Sequence, residues 1–219
     1  MKIIFFGTPP FSAYILEKLQ SSYNVVAVVC PPEKEKGRGR KMIAPSVKLK
    51  AQEINIKVLQ PNNLNDSYFI EELENLNADL FIVVAFRMLP EIVWRIPKKG
   101  CVNLHTSLLP NYRGASPINR VLINGETQTG ITTFFINENM DRGNIILQEK
   151  IELDNKITAA NLHNIMMENG ADLLLETIDK ITGNKVEQVE QNIALTDKTA
   201  PKINKELLQI DWSQSATKI

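Results

Sequence analysis

Apolar positions along the chain fall into two periods. Residues 3–6 and 80–85 are short, almost fully apolar runs. Gly7 closes the first, and the bulky turn Phe86-Arg87-Met88-Leu89-Pro90 closes the second. Such runs read as parallel strands buried on both faces. Residues 25–29 form a third run, and before it Phe11, Ile15, Leu16 and Leu19 recur at helical spacing. Strand, tight turn, helix, strand predicts a right-handed crossover at the start of an open α/β sheet. Further on, the pattern predicts helices over 44–54, 66–76 (capped at Asn65 or Asp66), 114–123 with Pro117 in the first turn, and 158–181. Gly170 is a weak point in the last of these, and His163 is expected on its surface. Shorter strands are expected at Val58-Leu59, at the start of 101–110, at 130–136 and at 145–151, the last two as a hairpin. The fold class is α/β with a mostly parallel central sheet.

Composition narrows this picture in a few places. A chain of 219 residues with 43% hydrophobic content suits one substantial domain with a real core. The formal net charge is +0, so contact with a polyanion must be local. The most basic segment is 31–41, ending Gly37-Arg38-Gly39-Arg40-Lys41. It reads either as a solvated, mobile loop or as an arm that contacts phosphates. The two cysteines, Cys30 and Cys101, have no metal-ligand spacing and are expected to be buried free thiols. No metal is expected. The turn after residue 6 lacks G-x-G-x-x-G and the P-loop pattern, which excludes the usual dinucleotide and ATP sites. No apolar run is long enough for a signal peptide or a membrane span, so a soluble cytoplasmic chain is expected.

Candidate chemistry concentrates in residues 101–114. Asn103 and His105 are two apart on a strand and so face the same way. An amide donor can stabilise a developing oxyanion. An imidazole with a pKa of about 6.5 can take a proton from an attacking amine of pKa about 8. Asp141, on a loop after a neighbouring strand, is the third candidate, since a carboxylate can fix an imidazole tautomer. Taken singly, each of the three has an ordinary structural explanation. No serine sits on a nucleophile elbow, and Cys101 lies inside the strand. The set suits direct acyl transfer between two bound substrates rather than a covalent enzyme intermediate.

Several ordered motifs carry a resemblance: Asn103-x-His105, Ser107-Leu108-Leu109-Pro110-x-Tyr112-Arg113-Gly114, Pro117-Ile118-Asn119, Asn124-Gly125-Glu126-Thr127, Thr129-Gly130 and Asp141-x-Gly143. Together they resemble the folate-dependent formyltransferases. Gly7-Thr8-Pro9-x-Phe11 and the basic loop at 37–41 resemble the branch that acts on tRNA. The resemblance implies a three-layer, Rossmann-like formyltransferase fold. It implies transfer from 10-formyltetrahydrofolate, as cosubstrate, to the α-amine of initiator methionyl-tRNA, with Asn103, His105 and Asp141 as the catalytic group. Folate is then expected along Ser107, Leu108, Leu109 and Pro110, against Phe86, Arg87, Met88 and Leu89, and near Asn137. Arg38, Arg40 and Lys41 are expected to contact tRNA.

Two positions depart from the family pattern: Pro10 stands where an acidic residue is usual, and Arg142 where a small hydroxyl residue is usual. Residues 1–195 are expected to be the catalytic domain and 196–219 a linker towards a further domain, in a monomeric protein. The alternatives are a formyltransferase for a small amine, such as an amino-sugar nucleotide or glycinamide ribonucleotide, or a folate- or RNA-binding remnant without turnover.

Overall fold

The computed structural model describes residues 1–36, 41–192 and 198–216. In chain order the elements are β1 (Lys2–Gly7), α1 (Pro10–Gln20), β2 (Asn24–Val29), β3 (Lys34–Lys36), β4 (Lys41–Ile43) and α2 (Ser46–Glu53). They continue with β5 (Lys57–Leu59), α3 (Ser67–Leu76), β6 (Leu80–Val84), α4 (Glu91–Trp94), β7 (Cys101–His105) and α5 (Pro117–Ile123). The last three are β8 (Gln128–Phe135), β9 (Ile145–Glu152) and α6 (Ala159–Thr182).

Seven of the described strands form one sheet in the order β5-β2-β1-β6-β7-β8-β9. The pairs from β5 through to β7 are parallel, whereas β7–β8 and β8–β9 are antiparallel. The chain builds outward from β1 to β2 and β5, then returns to lay β6 on the other side of β1. Such a reversal opens a crevice at the carboxyl ends of the strands. Here Gly7 has no room for a side chain: a Cβ would come 2.6 Å from Ser12 Cβ. The Ser12 hydroxyl, fully buried, donates to the Val84 carbonyl at 2.6 Å and so ties α1 to the end of β6.

Helices cover both faces, as near-continuous apolar strands require. One core joins α1, α2 and α6 to residues such as Phe5, Ile82, Val102 and Leu104. The other packs α3 against Phe6, Phe81, Val83 and Cys101. Strand β7 is therefore sandwiched, with Val102 and Leu104 towards α6 and the odd-numbered residues towards the opposite face. Gly170 is a close-approach site: a Cβ there would lie 3.1 Å from Leu104 Cδ2, so its lack of a side chain lets α6 press on β7. His163, expected at the surface, is half-buried, edge-on to Phe11 at 5.2 Å. Helix α3 is capped by Asp66, which accepts from Phe69 N at 3.1 Å, and α6 by Thr158. Both cysteines are buried and free. Burial pushes the Cys30 thiol up to about 11 and raises that of Cys101 as well.

Two segments differ from the sequence reading. The arms of the basic segment pair as a two-stranded antiparallel ribbon, Lys34 opposite Ile43 and Lys36 opposite Lys41. Residues 198–201 do not lead away from the domain but dock on it, with Ala200 fully buried. Beyond them the chain is exposed, including Leu208 at 71% and Trp212 at 80%. Among the described residues no helix is long and apolar enough to cross a membrane.

Candidate active site

Strand β7 ends at the crevice and carries Asn103 and His105 on one face. Asn103 pairs in the sheet with Val83 on one side and Phe134 on the other, which fixes its backbone. Its side chain is half-buried and, among the described residues, has no hydrogen-bonding partner. A half-buried amide with unused donors is ready to bind something that is not part of the chain.

His105 is 7% exposed, and its Nε2 lies 2.9 Å from the Tyr112 carbonyl oxygen. A carbonyl only accepts, so Nε2 carries the proton of the neutral ring and Nδ1 carries the lone pair. Tyr112 sits at φ 57, a left-handed conformation uncommon for a bulky residue, held there by its surroundings.

Two residues further on, the Gly114 N–H donates to Asp141 Oδ2 at 2.9 Å. Asp141 is itself at φ 53, in the loop between β8 and β9. The next residue but one, Gly143, has its Cα against the end of β8: a Cβ would come 1.6 Å from the Phe135 carbonyl oxygen. Gln191 clamps the same loop, donating to the carbonyls of Asp141 at 2.9 Å and Gly143 at 2.8 Å. The turn at 112–114 thus holds His105 through Tyr112 and Asp141 through Gly114. The imidazole tautomer is set by the Tyr112 carbonyl rather than by the carboxylate.

The neighbouring loop 107–110 is organised by Thr132 of β8. Its hydroxyl donates to the Ser107 carbonyl at 2.6 Å and accepts from Leu109 N at 3.2 Å. The Gln148 amide of β9 bonds both Thr132 Oγ1 and the Leu109 carbonyl at 2.9 Å. The Leu109–Pro110 peptide is cis. Ser107 is buried, donating to the Asn111 carbonyl at 2.7 Å. Leu108 and Pro110 are half-buried, and Leu109 is buried.

The profile of the formyl transferase family matches residues 1–178. Along its whole length the chain is 46% identical to the methionyl-tRNA formyltransferase of Alkaliphilus oremlandii and spans 71% of it. It is 44% identical to the methionyl-tRNA formyltransferase of Bacteroides thetaiotaomicron, spanning 69%. The chain belongs to the formyl transferase family.

Two solved structures show the same fold at lower identity. An N-formyltransferase from Helicobacter canadensis, in complex with folinic acid and dTDP-3-aminofucose, gives a TM-score of 0.74 at 21% identity, covering 100% of this chain and 77% of that one. Glycinamide ribonucleotide transformylase 1 from Symbiobacterium toebii gives 0.71 at 17%, covering 87% and 94%.

In this formyl transferase, residues 198–200 run along the site turn. Tyr112 N donates to the Lys198 carbonyl at 2.8 Å, Ala200 N to Arg113 O at 2.7 Å, and Ser116 N to Ala200 O at 3.1 Å. Gly114, at φ 121, leaves room for this strap, because a Cβ would lie 2.6 Å from Ala200 O. Side chains repeat the connection. Lys198 Nζ donates to Glu126 Oε1 at 2.6 Å, the Tyr112 hydroxyl donates to the same carboxylate, and Asn124 donates to the Tyr112 hydroxyl at 2.9 Å. The bond from Lys198, then that from Tyr112, holds the Glu126 carboxyl below the usual carboxylate range.

The other sequence-predicted residues are less tightly placed. Phe86 is half-buried, edge-on to Phe6 at 5.6 Å, and Leu89 is buried. Met88 is 70% exposed. Arg87 bonds the carbonyls of Pro61 and Asn62 at 2.8 and 3.2 Å, pinning the loop after β6 to the loop before α3. Half-buried Asn137 accepts from Asn139 N at 2.9 Å in a local turn. Arg38 and Arg40 lie outside the described residues, as does the side chain of Lys41.

Four contributors escaped the sequence reading: the Tyr112 carbonyl, Thr132, Gln148 and Gln191. Backbone carbonyls carry no side-chain signal. Thr132 reads merely as a β-branched strand residue, and Gln191 lies in a polar tract without periodicity.

Proposed function

We propose that the chain transfers a formyl group from 10-formyltetrahydrofolate to the α-amine of initiator methionyl-tRNA. The likeness along the whole chain to proteins named methionyl-tRNA formyltransferase, at 44–46% identity, carries this reading. The acyl-transfer chemistry that the site residues offer supports it. The acceptor amine attacks the formyl carbon, and the carbonyl oxygen becomes an oxyanion. The unpartnered Asn103 amide supplies a donor for that oxygen, an effect worth about 3–4 kcal/mol. The Nδ1 lone pair of His105, left available by the Tyr112 carbonyl, takes a proton from the amine as the new C–N bond forms. His105 then returns that proton to folate N10 as the C–N10 bond breaks and the carbonyl re-forms. Asp141, held by Gly114 N–H, orients the attacking amine. No covalent enzyme adduct is needed.

Ser107, Leu108, Leu109 and Pro110 offer a folate seat made rigid by Thr132 and Gln148, with Phe86, Arg87, Met88 and Leu89 and Asn137 as further walls. Folinic acid in the Helicobacter canadensis relative supports a folate donor. The basic ribbon leading to Arg38, Arg40 and Lys41 is the proposed tRNA-contacting arm. Assays of formyl transfer to methionyl-tRNA, to an amino-sugar nucleotide and to glycinamide ribonucleotide test the acceptor. Turnover is expected on methionyl-tRNA, and activity confined to the small amines would overturn the reading. His105→Ala should lower kcat by about 10²–10⁴-fold while the circular dichroism and unfolding midpoint stay near wild type.

A further inference from the structure

The site described above has two cations at its rim. The Gly114–Asp141 hydrogen bond of 2.9 Å joins two loops, and Arg113 and Arg142 are the chain neighbours of its two ends. Arg142 is exposed. Arg113 is partly buried, and its Nη1 is wholly shielded from water with no hydrogen-bonding partner. Among the described residues neither guanidinium is in an ion pair. The nearby Lys198 is already committed to Glu126.

This arrangement is unfavourable as it stands. Burial lowers the Arg113 pKa, the positive charge of Arg142 lowers it further, and Asp141 opposes both. Arginine nevertheless stays charged in proteins, so two positive charges face one carboxylate. One oxygen of that carboxylate is already accepting from Gly114. A shielded donor without an acceptor carries a desolvation penalty, and an unneutralised pair of like charges adds repulsion. One added anion relieves both.

We infer that Arg113 and Arg142 form a seat for an oxyanion, and that its occupant is the phosphate of the acceptor's 3′-terminal nucleotide. The assignment rests on the formyl transfer proposed above. Planar guanidinium forks match phosphate oxygens two at a time, with strong, charge-assisted bonds. In an aminoacylated 3′-terminal nucleotide the 5′-phosphate is one ribose away from the ester. An amine beside Asp141 therefore brings that phosphate within the span of an arginine side chain anchored at position 113 or 142.

The test compares two minimal acceptors, 3′-O-methionyladenosine and the same ester bearing a 5′-phosphate. The wild-type ratio of kcat/KM should favour the phosphorylated ester by roughly tenfold or more. Arg113→Met and Arg142→Ser should each bring the ratio towards one, with Arg113→Lys retaining part of it. A wild-type ratio near one, or a ratio kept by both variants, overturns the seat. A donor analogue lacking the glutamate tail serves as a second arm. If the effect of the arginines disappears with that tail, the anion is the folate carboxylate and the phosphate assignment falls.

Calorimetric titration with adenosine 5′-monophosphate needs no turnover. Binding by the wild type that is weakened in both variants supports the seat even if no acceptor is formylated, in which case the proposed function alone fails. Formyl transfer without such binding or preference sinks the seat and leaves the function standing.

Discussion

The Nε2 of His105 and the carbonyl oxygen of Tyr112 are 2.9 Å apart, and this contact decides which ring nitrogen can act as a base. Nitrogen-15 NMR of the histidine rings is expected to show neutral His105 protonated at Nε2, with Nδ1 bare. An Nδ1–H tautomer would remove the proposed base. The two states are well separated in chemical shift, so the measurement is direct.

The Glu126–Lys198–Tyr112 cluster should make the strap sensitive to acid. The Glu126 carboxyl titrates lower in the folded protein than in the unfolded chain, first because of Lys198 and then Tyr112. Its contribution to stability is therefore present above the ordinary carboxylate range of about 4.3 and is lost as pH falls through the folded value. Glu126→Gln should flatten the acid limb of an unfolding-midpoint curve. Lys198→Met should move that limb to higher pH. An unchanged limb in both variants would show that the cluster adds nothing.

Gly143→Ala should destabilise the fold by about 2–3 kcal/mol, because the new methyl group meets the Phe135 carbonyl, a backbone atom that cannot swing away. For a chain of this size that corresponds to a drop of about 4–12 °C in Tm. The same displacement would shift Asp141, so kcat should fall as well. A variant with wild-type Tm would show that the loop between β8 and β9 is slacker than its contacts imply.

Thr132→Val preserves shape and removes one hydroxyl. Leu109 N–H then loses its acceptor in a buried position, costing about 1–3 kcal/mol. Because that bond fixes the loop 107–110, the KM for the folate donor should rise more than kcat falls. A pure loss of stability with unchanged KM would place the donor elsewhere.

The fold was largely legible because its signals are local. The unbroken apolar runs of β1 and β6 mark strands covered on both faces, and the positions of Leu162, Met166 and Leu173 mark α6 by period. The hairpin of β8 and β9 followed from β-branched residues on either side of a turn-rich loop. The ribbon of β3 and β4 was missed because its six residues carry mixed charge and no alternation. In the site, Asn103 and His105 were visible as a pair two apart on one strand. What holds them was not. The tautomer depends on a carbonyl seven residues away, whose direction comes from a left-handed backbone at Tyr112. The docking of 198–200 was hidden for a related reason: its bonds to the site turn are made by backbone groups, which every sequence possesses.

That strap also sets an order of assembly. During synthesis the chain emerges from its amino end, and the sheet from β1 to β9 has all its strands once residue 152 is made. The turn at 112–114 then waits for some fifty more residues before Lys198 and Ala200 can bond Tyr112, Arg113 and Ser116. The scaffold is complete well before the turn that orients His105 receives its last bonds, so a nascent chain can be folded in outline while the proposed proton acceptor is still unaimed.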